Sequence, residues 1–66
     1  MWAIRNKRTG KWLYGTWRQD VRIIQRTSEN RALLLSTEED ALYEMRIRKC
    51  GKSYEAVPVR LEILEG

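Results

Sequence analysis

Trp2-Ala3-Ile4-Arg5-Asn6 opens the chain with large apolar residues at alternate positions, and Trp12-Leu13-Tyr14 resumes the theme after a polar interruption. A period of two marks strands with one buried face. Between them lies Asn6-Lys7-Arg8-Thr9-Gly10-Lys11, where Asn suits side-chain capping of a turn and Gly suits a positive φ. The pattern predicts a β-hairpin with strands over residues 2–6 and 11–16. Pairing Asn6 with Lys11 sets Arg5 opposite Trp12, Ile4 opposite Leu13, Ala3 opposite Tyr14 and Trp2 opposite Gly15. Trp2, Ile4 and Leu13 then share one face, while Ala3, Arg5, Trp12 and Tyr14 share the other. A slip of one residue would exchange the two sets.

Val21 to Gln25 reads as a third strand, with Val21 and Ile23 on one face and Ile24 on the other. Thr27-Ser28-Glu29-Asn30 is a break of turn-forming residues. Ala32 to Leu35, short, apolar and bounded on both sides, suits a buried strand; a helical turn begun at a Ser28 cap is the alternative. Ser36-Thr37-Glu38-Glu39-Asp40 then predicts a helix start, with Ser36 and Glu39 spaced as a capping box. Acidic residues in the first turn and Arg46, Arg48 and Lys49 in the last agree with the helix dipole. Gly51 is placed to end the helix as the C′ residue, so the helix is expected from Thr37 to Cys50. Tyr54 to Leu64 alternates again, and Pro58, which cannot donate a ladder hydrogen bond, favours an edge strand. The expected architecture is a single α+β domain: a small antiparallel sheet of three to five strands with one helix packed on a face, in the order β-β-(β-β)-α-β.

The helix pattern carries a complication. At 100° per residue Ala41, Leu42 and Met45 form one apolar stripe, and Tyr43, Ile47 and Cys50 form a second about 180° away. A helix backed by water needs one stripe only. The second is expected to be covered either by the Val21–Leu35 region or by a second copy of the chain, with Tyr43, Ile47 and Cys50 as the homodimer face.

Composition sharpens this. In 66 residues there is room for one domain and one modest core, which makes extra burial by self-association useful. One cysteine, Cys50, allows no disulfide within the chain, and with no histidine the usual zinc ligand sets are missing. A lone thiol points to a reducing compartment. Without an apolar run long enough for a membrane span or a signal-peptide pattern at the N-terminus, a cytoplasmic protein that needs no cofactor is expected.

Charge is the most uneven feature. Residues 1–33 hold eight basic against two acidic residues, and residues 34–66 hold five against seven. Arginine outnumbers lysine nine to four, a bias that favours bidentate contacts to phosphate or carboxylate. A basic surface can also serve solubility alone. Catalysis has little to work with, because no histidine base is present and the Glu38-Glu39-Asp40 cluster is accounted for by capping and dipole. The expectation is therefore a binding protein and not an enzyme. All three tryptophans and Tyr14 precede residue 18, interleaved with Arg5, Lys7, Arg8 and Lys11. Rings rimmed by cations on a sheet can stack bases and meet phosphates. Arg5, Lys7, Arg8, Lys11, Trp12, Tyr14, Arg18 and Arg22 are the candidate contacts to a nucleic acid or to an acidic protein surface. The competing reading packs Trp12 and Tyr14 beneath Trp17 or a later strand as core.

Asn6-Lys7-Arg8-Thr9-Gly10-Lys11-Trp12, then Ser36-Thr37-Glu38-Glu39-Asp40-Ala41, then Tyr54-Glu55-Ala56-Val57-Pro58-Val59 resembles the layout of small accessory proteins of bacteriophages and mobile elements. In these a hairpin leads into a strand, an acidic-start helix and a closing strand. The resemblance implies a binding module that acts on nucleic acid, or a protein inhibitor of host nucleic-acid machinery such as an anti-CRISPR protein.

Overall fold

The computed structural model describes residues 1–60 and contains β1 (Trp2–Asn6), β2 (Trp12–Gln19), β3 (Arg22–Ser28), α1 (Glu38–Ile47) and β4 (Tyr54–Pro58). The strands form one antiparallel sheet in the order β3-β2-β1-β4, with α1 across one face, which is the expected α+β arrangement. Asn6 builds the first turn as its position suggests. Its Oδ1 accepts from the backbone N–H groups of Arg8 (2.8 Å) and Thr9 (3.1 Å), and Gly10 takes φ +73°. That closes the hairpin at Asn6 and Lys11, whose carbonyl accepts from the Asn6 N–H at 2.8 Å.

Arg5 stands opposite Trp12, as expected, but the ladder between β1 and β2 stops there. A bulge between Leu13 and Gly15, in the pairing of β2 with β3, lies where β2 and β1 part. The fork leaves backbone groups without partners, and the segment around Leu33–Leu35 fills it. Leu33 donates to the Leu13 carbonyl at 2.9 Å, and Leu35 exchanges two bonds with Trp2 at 2.7 and 2.8 Å. The expected ladder pairs Ile4–Leu13, Ala3–Tyr14 and Trp2–Gly15 are thus not formed. The expected strand over Ala32–Leu35 is reduced to a single bridge, Trp2 with Leu35.

The third strand runs later than expected, over Arg22–Ser28 instead of Val21–Gln25. Val21, almost fully exposed at 98%, joins Asp20 in the turn that closes β2 on β3. Thr27 and Ser28 do not break the chain, because Leu13 and Trp12 on β2 offer them ladder partners. Their polarity costs nothing on an edge strand, and threonine fits a pleated surface well.

The helix begins and ends differently from expectation. Leu35 is held extended by Trp2, so Ser36 makes the bend and Thr37 becomes the cap, its Oγ1 accepting from Asp40 N–H at 3.1 Å. At the other end Lys49, with φ +51°, takes the left-handed position expected of Gly51. Lys49 N–H bonds the Arg46 carbonyl (3.2 Å) and Cys50 N–H bonds the Met45 carbonyl (3.0 Å), the paired bonds of a Schellman stop. This early stop turns Cys50 inward. Cys50 forms a buried cluster with Ile4 and Leu13, against which Leu35, Met45 and Tyr54 pack.

That placement removes Cys50 from the suggested dimer face. Tyr43 and Ile47 do remain exposed, and so does Leu42, which the sequence pattern had assigned to the inner stripe. Ala41 is fully buried and Met45 packs on the core, so a single stripe faces the sheet. On β4, Ala56 stands opposite Ile4 on the helix side and Val57 opposite Ala3 on the other. The strand is an edge, as Pro58 favours, and it ends at Pro58. The expected continuation through Leu61 to Leu64 lies outside the described residues.

Candidate nucleic-acid interface

Alternation along the strands assigns each residue to a face. Ile4, Leu13, Thr16, Arg18 and Gln25 point to the helix side, and Ala3, Arg5, Trp12, Trp17, Ile24 and Arg26 to the opposite side. On the helix side a polar network ties the end of α1 to β2 and β3. Arg48 Nη1 donates to Thr16 Oγ1 (2.9 Å), Thr16 donates to Gln25 Oε1 (2.7 Å), and Gln25 Nε2 donates to the Arg48 carbonyl. Arg18 belongs to this side as well, donating to the carbonyl of Ile47. These bonds satisfy carbonyls at the end of α1 and tie it to β2 and β3.

The free face carries three arginine–aromatic stacks along β2. The guanidinium carbon of Arg5 lies 5.6 Å from the Trp12 ring centroid, that of Arg31 4.7 Å from Tyr14, and that of Arg26 4.7 Å from Trp17. Each distance is within the roughly 6 Å at which a cation is held by the ring quadrupole. The bulge produces this spacing: it leaves Tyr14 as the extra residue and moves Gly15 opposite Arg26, so that Arg26 reaches Trp17 one rung along. Trp17 is 53% exposed, whereas Trp12 and Tyr14 are half-buried.

The three cations are not equivalent. Arg5 donates from Nε (3.2 Å) and Nη2 (2.9 Å) to Oε2 of Glu55, its neighbour on β4, so its charge is largely met. Among the described residues no carboxylate lies within ion-pair distance of Arg26 or Arg31. Both side chains are exposed, each with its guanidinium carbon 4.7 Å from a ring centroid.

The sequence candidates fall into three places. Arg5 and Trp12 come together on the face opposite the helix, beside the fully buried Ala3, and Tyr14 lies beneath Arg31. Lys7, Arg8 and Lys11 are exposed around the first hairpin turn, beyond Arg5 and Trp12. Arg22, opposite Gln19, lies on the free side at the far end of the β2–β3 hairpin. Arg18 is on the other side. Trp17, Arg26 and Arg31 were not among the candidates. The β2–β3 register places the first two together, and that register follows from a two-residue turn at Asp20-Val21 that carries no glycine. Arg31 lies in an irregular segment whose path no local pattern announces.

The remaining reactive group is quiet. Burial raises the pKa of the Cys50 thiol, against a smaller lowering by Arg48, so it stays protonated near neutrality. No helix among the described residues is long and apolar enough to cross a membrane. No protein-family model, curated protein or solved structure matches the chain. The functional reading therefore rests on the geometry of this face, and the likeness to phage accessory proteins on the sequence motifs alone.

Proposed function

We propose that this chain is a non-catalytic module that binds single-stranded nucleic acid on the sheet face opposite the helix. The carrying observation is the Arg26–Trp17 stack, an exposed ring joined to a cation that has no carboxylate partner among the described residues. A base stacks on an open ring whatever its identity, and a neighbouring guanidinium meets its phosphate. Arg31 on Tyr14 extends the same surface, and Lys7, Arg8, Lys11 and Arg22 supply charge at its two ends. Duplex DNA, whose bases are already stacked, gains only the charge contacts. Fluorescence anisotropy with a labelled oligothymidylate of about ten nucleotides tests this reading. The single strand should bind at about 50 mM salt and outcompete a duplex of equal length. Absence of single-strand binding would reject it and leave an acidic protein surface, as for an inhibitor of host nucleic-acid machinery, as the partner to seek by affinity capture.

Self-association belongs to the same proposal. Leu42, Tyr43 and Ile47 are exposed on α1, whose first turn is acidic (Glu38, Glu39, Asp40) and whose last turn carries Arg46. Two copies packed with antiparallel helices would set Asp40 of each near Arg46 of the other, around Tyr43, with the dipoles opposed. Ten residues of helix make a short contact, well below the roughly 1,200 Å² of a stable interface, so the dimer is weak. It leaves both aromatic faces outward.

A further inference from the structure

Trp12 is also one wall of a pocket of about 150 Å³, whose other lining residues are Ala3, Ala32, Leu34, Val59 and Arg60. The pocket follows from the fork in the sheet. Where β2 leaves β1, the segment that fills the gap contributes Ala32, and β1 contributes Ala3, both too small to close the space. Among the described residues the lining is apolar except for the Trp12 indole N–H and one cation, Arg60, with no carboxylate. A cationic ligand would find nothing among those residues to pair with. A flat, weakly polar ring attached to an anion suits both parts.

Size narrows the ring. A drug-sized ligand needs about 300 Å³ or more, whereas an apolar cavity of about 150 Å³ holds a single benzene-sized ring. We propose that this pocket takes one unstacked pyrimidine base of the bound strand. The ring lies against Trp12, and the adjoining phosphate lies toward Arg60. This rests on the nucleic-acid reading above and adds to it a site that a duplex cannot reach without extruding a base. With only the Trp12 indole N–H and the Arg60 guanidinium as side-chain hydrogen-bonding groups among the described lining residues, the pocket selects mainly by size.

The test separates the pocket from the exposed Trp17 ring by using the Trp17→Ala protein. Three strands of equal length are compared at low salt: fully abasic, abasic with one central thymine, and abasic with one central adenine. The thymine strand should bind about tenfold more tightly than the abasic one, the effect of one stacked base, and the adenine strand should gain less. Ala32→Leu, which fills the pocket, should abolish the thymine gain while leaving abasic binding in place. Equal binding of all three strands overturns the pocket assignment alone. If the wild-type chain binds no strand of any kind, the nucleic-acid reading falls and takes the pocket with it. Should Ala32→Leu fail to fold, Leu34→Trp, at a partly exposed position on the rim, gives the same readout, and the three-strand comparison needs neither variant.

Discussion

The guanidinium of Arg26 lies over the Trp17 ring at 4.7 Å although the two residues are not direct ladder partners, because Arg26 stands opposite Gly15 and Trp17 opposite Ile24. A Cβ at Gly15 would meet no other atom within 4 Å, so the rung between them is open to solvent. Trp17→Ala should therefore change stability by no more than about 1 kcal/mol, since it removes an exposed ring and one surface cation–π contact. Affinity for a single strand should fall about tenfold. Thermal melts and anisotropy titrations on the same preparation check both. A large loss of stability would mean that the ring is core.

Glu55 holds Arg5 in check. Replacing it by Gln removes a half-exposed ion pair, a change of roughly 0–1 kcal/mol in stability. It also releases a cation on the binding face. Glu55→Gln should bind a single strand more tightly than wild type and show a steeper salt dependence, by up to about 0.7 in the log–log slope for one added phosphate contact. Unchanged affinity would place Arg5 outside the contact surface.

Lys49 sits at φ +51° where glycine is the unstrained choice. Lys49→Gly should raise stability by about 0.5–1 kcal/mol, visible as a higher urea midpoint with the same m-value. Leu13→Ala, at a fully buried position, should cost about 2–5 kcal/mol, enough to unfold much of so small a domain.

The Cys50 thiol is buried and its pKa raised, so the folded protein should resist thiol reagents near pH 8 and react once unfolded in urea. The linkage has a definite sign. The folded state holds this proton more tightly than the unfolded chain, so its contribution to stability is complete below the ordinary thiol pKa. It is lost as pH rises from that value through the raised one. Urea midpoints at alkaline pH should fall less in Cys50→Ala than in wild type.

The elements that local chemistry specifies were legible in the sequence. Asn6 and Gly10 define the first turn, the Arg5–Trp12 pairing follows from it, the acidic start marks the helix, and Pro58 marks an edge. What local pattern misses are the choices made by tertiary partners. The first hairpin parts where β2 bulges at Tyr14, and there Leu35 pairs with Trp2 and turns an expected strand into a wedge. Thr37 displaces Ser36 as cap for the same reason. Around the candidate site, the sequence pattern sets Arg5 beside Trp12, as the ladder does, whereas Arg31 and Arg26 reach the Tyr14 and Trp17 rings through an irregular segment and the second hairpin, which no periodicity encodes.

A salt titration of oligonucleotide binding tests the nucleic-acid reading most directly. With the summed emission of the three tryptophans as the signal, a short single strand should quench it at about 50 mM salt, and less in Trp17→Ala, while log K should fall linearly with log salt at a slope of about −2 to −3, as for three to four neutralised phosphates. No quenching at low salt, or an affinity indifferent to salt, would contradict it.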